Sequence, residues 1–289
     1  MFHRPLWFAP VILSLAACQS PGPAASKFDA RALAGEEAKF AAHSMQHGMQ
    51  PAFVQFMAPG SILLRPDPVD GLEFMKKRPN PPIELDWKSA FTILSASGEL
   101  GLSTGPWIRR SKADKSAAPY WGQFFSIWRK QADGQWRVEF DHGISHDGHD
   151  GMKEALTAID LADLARAGGN VNTNGAAAPE TDFIATAKRE GAMAAYQRFR
   201  AANSRLLRDE MVPIVDSTPS VAIANAESRY DWTPVKTVSA SAGDFSYVLG
   251  KWKTSSSDKP ETGYYLRVWI RNGKDWQLAA DLVTPDPKP

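Results

Sequence analysis

Cysteine is almost absent from this sequence, since Cys18 is the only one among 289 residues. A single thiol cannot form an intrachain disulfide, so packing and polar contacts must stabilise the fold. An excess of charge of one sign is also lacking: 33 basic residues face 32 acidic ones, and no basic run occurs. The sequence therefore lacks the electrostatic surface that binds nucleic acid, and no nucleic-acid partner is expected.

The motifs of several enzyme classes are absent as well. The sequence contains no glycine-rich phosphate loop, no nucleophile elbow of the form GxSxG and no zinc-binding HExxH motif. These absences argue against nucleotide use and against common hydrolase chemistry. No cofactor is expected.

A short apolar run lies near the N-terminus, where Arg4 precedes the hydrophobic residues 6–15. Residues 1–17 have the pattern of a secretory signal peptide. Residues 15–18, LAAC, resemble the lipobox of bacterial lipoproteins. That resemblance implies cleavage before Cys18, a diacylglycerol thioether on its sulfur and an N-linked acyl chain such as palmitate. The alternative is an ordinary signal peptide in which the cysteine is incidental.

A lipid anchor makes the membrane the expected partner, because several acyl chains give the stable attachment that one chain alone does not. Gln19 follows the cysteine, and in lipoproteins a residue other than aspartate at this position implies the outer membrane. Residues 18–28 are rich in proline, glycine, alanine and serine and predict a flexible tether. The expected location is the bacterial outer membrane, facing the periplasm.

A sequence repeat occupies most of the remaining chain. The dipeptide Asp-Trp at 86–87 recurs at 231–232, and Trp107 recurs as Trp252, each displaced by 145 residues. Upstream matches are displaced by 143 residues and downstream matches by 141 or 140, as expected where loops differ in length. Such a repeat indicates two copies of one structural unit.

Within each copy, helical periodicity precedes strand periodicity. Residues 30–46 and 49–57 are predicted helices, with Pro59-Gly60 ending the second. Strands are predicted from Trp87 onward, and Asn272-Gly273 is a strong hairpin signal. The pattern predicts an α+β class with two tandem cone-shaped domains, each a curved antiparallel sheet wrapped around N-terminal helices. The predicted organisation is a signal peptide at 1–17, a tether at 18–28, a first domain at 29–150, a connecting helix and linker at 151–178, and a second domain at 179–289.

The order of motifs resembles one superfamily. The first copy has a Phe-x-x-Phe helix at 53–56, Gly98-Glu99, Gly105-Pro106-Trp107 and the segment WRKQ at 128–131. This order is similar to the nuclear-transport-factor-two-like superfamily, and within it to SnoaL-like and uncharacterised bacterial domains. The second copy departs from the pattern at 269–272, where it reads WIRN.

The resemblance implies a bent sheet around a deep, mostly apolar pocket. Enzymes of the superfamily use pocket carboxylates, tyrosines and histidines for acid–base chemistry. Its members commonly associate through the outer face of the sheet, which implies that the two domains pair within the chain.

The acid–base candidates for the first pocket are Asp86, Asp141 and His43. An apolar pocket raises the pKa of a carboxyl group into a catalytically useful range. The alternative, which we favour, is structural: Asp86 and Asp231 cap strands or turns, and Asp141 and its counterpart pair with an arginine.

The tryptophans are candidates for the walls of ligand pockets. Aromatic walls bind planar or apolar ligands, whereas the same residues also fill the core of a half-buried sheet. The pocket candidates are Trp87, Trp107, Trp128, Trp232, Trp252 and Trp269.

Three histidines, His142, His146 and His149, form the one group with metal-ligand chemistry. Their spacing matches no metal motif, the surrounding glycines suggest a loop, and the second copy lacks all three. No metal site is predicted.

Together these features predict a lipid-anchored envelope protein that binds a small apolar ligand or a partner through its cone pockets, and they favour such a binding protein over an enzyme. The alternative is an isomerase, dehydratase or cyclase that works in the first pocket.

Overall fold

The computed structural model describes Met1 and residues 29–148, 151–168, 175–215, 221–255 and 260–286. Cys18, the whole tether and all of the signal peptide except Met1 lie outside the described residues. Within the described ranges, no helix has both the length and the apolar character needed to span a membrane.

The first copy begins with two helices that meet at a glycine. Helix α1 starts after Asp29, whose side chain accepts a hydrogen bond from the Arg31 amide at 2.7 Å. Gly48 separates it from α2 with φ 98°, a region that favours glycine. The elements of this copy are α1 (Ala30–His47), α2 (Met49–Phe56), β1 (Met57–Leu64), β2 (Pro68–Asp70), α3 (Gly71–Lys76), β3 (Ile83–Trp87), β4 (Phe91–Leu94), β5 (Leu100–Ser111), β6 (Tyr120–Lys130) and β7 (Trp136–His146).

The structure differs from the sequence prediction at the end of α2. Residues 59 and 60 do not end the helix, because the chain is already extended at Met57. They lie inside β1, where the register against β7 shifts between Met57 and Ile62. Proline is tolerated in such an irregularity because it has no amide hydrogen to donate to the sheet.

The connection between the copies also differs from the predicted continuous helix. It contains a short 3₁₀ turn at Gly151–Lys153, strand β8 (Thr157–Asp160) and helix α4 (Leu161–Gly168). Strand β8 pairs in parallel with β4, so the first sheet continues into the connection. Tertiary pairing therefore overrides the helical spacing of the apolar residues here. The predicted linker falls largely on residues 169–174, which lie outside the described ranges.

The second copy repeats the design with fewer strands. Gly191 joins its first two helices at φ 90°, as Gly48 does in the first copy. Its elements are α5 (Ala177–Glu190), α6 (Ala192–Phe199), β9 (Arg200–Arg208), α7 (Val221–Glu227), β10 (Tyr230–Ser239), β11 (Phe245–Thr254), β12 (Thr262–Asn272) and β13 (Asp275–Pro285).

Each copy has its own sheet. Among the described residues, the first sheet has eight strands in the order β2-β1-β7-β6-β5-β4-β8, with β3 also pairing with β5. The second has five, in the order β10-β11-β12-β13-β9. Helices cover one face of each sheet, and this arrangement confirms the predicted fold class of two tandem cone-shaped α+β domains.

The other faces of the two sheets pack against each other. Phe125 and Ile127 of β6 share one apolar core with Leu266 and Val268 of β12. These residues alternate along their strands with residues of the two cone interiors, such as Phe124 and Tyr265. The two-residue period of a strand therefore assigns one face to the junction and the other to the interior of each cone.

Reciprocal hydrogen bonds join the turns before β5 and β11. The Ala96 amide donates to Asp244 Oδ2 at 2.9 Å, and the Ser241 amide donates to Glu99 Oε1 at 2.6 Å. Both donors and both acceptors are related by the 145-residue offset of the repeat. The contact is therefore isologous, as in a two-fold symmetric dimer, although it forms within one chain.

We expect Glu99→Ala and Asp244→Ala each to lower the free energy of unfolding by about 1 kcal/mol, because each leaves an amide of the junction without its acceptor. Urea unfolding of the full chain measures this. The control is Glu84→Ala, which removes a surface pair with Lys115 and should cost less than about 0.5 kcal/mol. If all three variants lowered the free energy of unfolding equally, the hydrogen bonds of Glu99 and Asp244 would not stabilise the junction specifically.

Candidate functional site

A buried glutamate ties the first helix of each copy to its sheet. In the first copy, Glu37 of α1 accepts hydrogen bonds of 2.7 Å from the indole nitrogens of Trp87 and Trp128. In the second, its counterpart Glu180 accepts one from Trp269 at 2.9 Å. Because the glutamate and the strand tryptophan are retained at matching positions, we assign this contact to the scaffold.

The interior of the first copy, the first cone, contains a cavity of about 390 Å³. Its walls include apolar and aromatic side chains from α2, β3, β5 and β6. These wall residues are Met49, Phe53, Ile83, Leu85, Trp87, Trp107 and Phe124.

Three arginines give this cavity a positive side. Arg65 follows β1, Arg78 follows α3, and Arg109 lies on β5. The Arg65 guanidinium donates to the carbonyl of Leu64. Burial and the charge of Arg78 lower the pKa of Arg65, against the opposing effect of Asp141. The arginines therefore form a region suited to an anionic group.

Asp141 of β7 is the acid of the cavity wall. Ser126 Oγ donates to Asp141 Oδ2 at 2.8 Å, and within the described part of the chain the carboxylate accepts no other hydrogen bond. Burial raises the pKa of Asp141 to about 6, although the hydrogen bond from Ser126 and the charge of Arg65 lower it. Asp141 is thus a buried acid with acceptor capacity left over.

The interior of the second copy, the second cone, is occupied by Arg267. This side chain is fully buried on β12, at the position equivalent to Ser126. Arg267 Nη1 lies 2.8 Å from Glu180 Oε1, and Nε lies 3.3 Å from Asp281 Oδ1. The guanidinium carbon lies 4.2 Å from the ring centroids of Phe183 and Trp232.

Asp281, the counterpart of Asp141, has partners that Asp141 lacks. Its Oδ2 accepts hydrogen bonds from the Tyr196 hydroxyl at 2.6 Å and from Arg208 at 2.8 Å. Burial acts to raise the pKa of Asp281, but Arg208 and Arg267 outweigh it and hold this pKa below its usual range. Asp281 is therefore paired with arginines of its own domain.

Of the acid–base candidates, the structure brings only Asp141 to the first cavity. Asp86 precedes Trp87 on β3 and so points to the opposite face of the strand. His43 is half-buried on α1, with its ring centroid 4.3 Å from that of His47. Neither Asp86 nor His43 lines the cavity.

The tryptophan candidates divide into walls and core. Trp87 and Trp107 line the first cavity, whereas Trp128 is fully buried against Glu37. Trp232, Trp252 and Trp269 are buried in the core of the second copy.

The histidines do not form a metal cluster among the described residues. His142 and His146 lie four residues apart on the extended strand β7, which separates their backbones by roughly 13 Å. His149 lies outside the described ranges.

Sequence reasoning missed the three arginines. Arg65, Arg78 and Arg109 are far apart in sequence, and only the fold brings them to one cavity. A signal for the Arg267 substitution was present, because aligning Trp128 with Trp269 places this arginine opposite Ser126. The direction in which residue 267 points depends on the strand pairing, which the alignment did not provide.

A further cavity of about 460 Å³ lies where the copies meet. Trp107 forms part of its wall as well, together with Trp121 and with Val212 and Pro213 of the second copy. The side chain of Trp107 therefore stands between two cavities.

Comparison with known proteins gives similarity of fold only. No family model and no curated protein matches the sequence. Similar solved structures include a ketosteroid isomerase-like protein from Erwinia carotovora atroseptica, with 10% identity, a TM-score of 0.33, and coverage of 42% of this chain and 100% of that one. An NTF2-like protein of unknown function in nutrient uptake from Rhodospirillum rubrum has 18% identity, a TM-score of 0.32, and coverage of 39% and 100%.

A SnoaL-like protein from Jannaschia sp. CCS1 is also similar, with 9% identity, a TM-score of 0.29, and coverage of 41% of this chain and 92% of that one. These similarities each cover about 40% of the chain, which is about the share that one copy occupies. The class that the fold itself defines is a tandem pair of cone-shaped α+β domains.

We expect Glu37 to make the free energy of unfolding of the chain decrease as pH rises from about 4.5 to 7. Burial raises the pKa of Glu37 to about 7 from 4.5, despite the hydrogen bonds from Trp87 and Trp128. The folded state therefore binds this proton more tightly than the unfolded state. The contribution is complete below pH 4.5 and is lost as pH passes 7, and it amounts to on the order of 3 kcal/mol.

Urea unfolding of Glu37→Gln at pH 5 and pH 8 measures this contribution, because the variant has no titratable group at position 37. Its free energy of unfolding should change less between the two pH values than that of the wild type. The control is Glu36→Gln, which removes a surface carboxylate paired with Lys39. A Glu37→Gln variant with the wild-type pH dependence would contradict the expectation.

Proposed function

We propose that the chain is a small-molecule binding protein whose binding site is the first cone. The observation that carries the proposal is the open cavity of about 390 Å³ beside Asp141 in the first cone. In the second cone, by contrast, the buried Arg267 side chain occupies the interior. Binding pockets combine apolar walls with a few polar groups that orient the ligand. The first cavity has this composition.

The chemistry of the cavity specifies a ligand with a flat apolar body and an anionic group. Trp87, Trp107 and Phe124 provide flat walls. Arg65 and Arg78 provide guanidinium groups that pair with carboxylates or phosphates.

An acid–base enzyme is the second candidate function. The supporting observation is Asp141, whose pKa burial raises to about 6 at the edge of an apolar cavity. A carboxyl group with this pKa exchanges protons readily near neutral pH. Isomerisation, dehydration and cyclisation are the reaction classes for which a single positioned carboxylate serves as base.

We also propose that the protein is a lipoprotein of the cell envelope, located in the outer membrane and facing the periplasm. The support is the sequence LAAC at 15–18 after an apolar run. A lipid on Cys18 would hold both cones at the membrane surface on the tether of residues 18–28.

The binding proposal is tested with 2-naphthoate and its neutral analogue 2-naphthalenemethanol, by isothermal titration calorimetry of the full chain. Naphthoate should bind more tightly, and Arg65→Gln and Arg78→Gln should each weaken it about three- to tenfold, because each removes a charged partner. The control is Arg189→Gln, a surface arginine of α5 paired with Glu190, which should leave binding unchanged. Equal affinity for both probes, or full binding by the arginine variants, would contradict the proposed ligand class.

The anchor is tested by Cys18→Ser in bacterial cells. The wild type should partition with the outer membrane and incorporate labelled palmitate, and the variant should lose both properties because the acylated sulfur is missing. A variant that stays in the membrane fraction would rule out lipid attachment through Cys18.

A further inference from the structure

The second cone binds a guanidinium group that belongs to its own chain. Phe183, Trp232 and Tyr265 surround Arg267, with centroid distances of 4.2, 4.2 and 4.4 Å. Glu180 holds the guanidinium from one side at 2.8 Å. Such a combination of aromatic faces and buried carboxylates is a general way to bind a planar cation.

Asp281 holds the same guanidinium from another side, at 3.3 Å. In the second cone, a guanidinium group therefore fits between Glu180 and Asp281. The Arg267 side chain makes the contacts that a bound planar cation would make in this interior.

The first cone has residues of the same classes at these positions but no arginine. Beside Glu37 the indole of Trp87 takes the place of the guanidinium: its Nε1 donates to Glu37 Oε1 at 2.7 Å, and its ring centroid lies 4.8 Å from that of Phe40. The aromatic positions hold Phe40, Trp87 and Phe124, and the two acids are present as Glu37 and Asp141. Position 126, from which the arginine extends in the second copy, is a serine. Serine has no guanidinium to place beside Asp141, and Asp141 lines the cavity together with Trp87 and Phe124.

The two acids of the first cone differ in their remaining capacity. Both oxygens of Glu37 already accept indole hydrogen bonds. Asp141 accepts one hydrogen bond, from Ser126, and no second donor contacts it within the described residues. The position of the Tyr196 hydroxyl, which donates to Asp281 in the second copy, is taken by Phe53, which has no donor. Asp141 is thus the acid that lacks donors.

We propose that the ligand of the first cone carries a planar cationic group, a guanidinium or amidinium, that donates hydrogen bonds to Asp141 from the cavity, as the Arg267 guanidinium contacts the counterpart Asp281 in the second cone. This inference rests on the proposed function, because it concerns the same cavity. Arg65, Arg78 and Arg109 on the cavity wall repel a ligand that is only cationic. The ligand class is therefore zwitterionic: a flat body with a cation at Asp141 and an anion at the arginines.

The test compares two flat probes of nearly equal shape, 4-guanidinobenzoate and 4-ureidobenzoate, by isothermal titration calorimetry on the full chain at pH 7.5. Both carry the anion, but only the first carries the cation. The guanidino probe should bind at least about tenfold more tightly, since a hydrogen bond between charged partners is stronger than one to a neutral donor.

Asp141→Asn should remove this preference and leave the two affinities within about threefold, because the neutral amide oxygen accepts a hydrogen bond but carries no charge to attract a cation. The matched control is Asp86→Asn, the same change outside the cavity, which should keep the tenfold preference. Equal affinities in the wild type, or a preference that persists in Asp141→Asn, would overturn the inference while leaving the binding function standing. If neither probe binds the wild type, the inference fails, and the titration with 2-naphthoate decides separately whether the proposed function stands.

A second variant transfers the internal cation from one copy to the other. Ser126→Arg places the arginine of the second cone at the equivalent position of the first. The folded variant, checked by its thermal unfolding midpoint, should bind 4-guanidinobenzoate at least about tenfold more weakly, because its own guanidinium occupies Asp141. Wild-type affinity in the folded variant would contradict the equivalence of ligand and arginine. Should the variant not fold, the Asp141→Asn comparison decides alone.

Discussion

The packing of the two sheets against each other is the constraint on which the rest of the structure depends. It commits alternate residues of each central strand to a shared apolar core, as Phe125 and Ile127 show on β6. The intervening residues face the interior of their own cone. Sequence change is therefore costly at the junction, where it affects both copies, and is less restricted at the inward positions. Residue 126 and its counterpart 267 are inward positions of this kind.

The buried acids explain why the difference between serine at 126 and arginine at 267 gives the two cones different interiors. A carboxylate inside a cone is expensive unless it is paired or protonated. Arg267 pairs with Glu180 and Asp281 of the second cone, so the interior becomes a closed part of the scaffold. Serine at 126 leaves Asp141 with one donor, and burial shifts its pKa upward. The same fold thus gives a filled cone and a cone with an unused acceptor, and we place the binding function in the latter.

The features that sequence analysis predicted well depend on local patterns or on the repeat. The helix over 30–46 follows from apolar spacing, and the two copies follow from the 145-residue offset. Strand β8 was missed because residues 157–160 are extended only through their pairing with β4, which no local pattern records. Asp141 was found as a retained late aspartate, but its difference from Asp281 depends on which strand positions face inward. The arginines of the cavity converge only in three dimensions.

The account rests on an open first cone and a second cone that is closed by Arg267, and a high-resolution crystal structure of the unliganded protein tests this most directly. It should show the Arg267 guanidinium between Trp232 and Phe183, in contact with Glu180, and ordered solvent beside Asp141 in the first cone. An Arg267 side chain that points away from Glu180, with solvent in the second cone, would contradict the account.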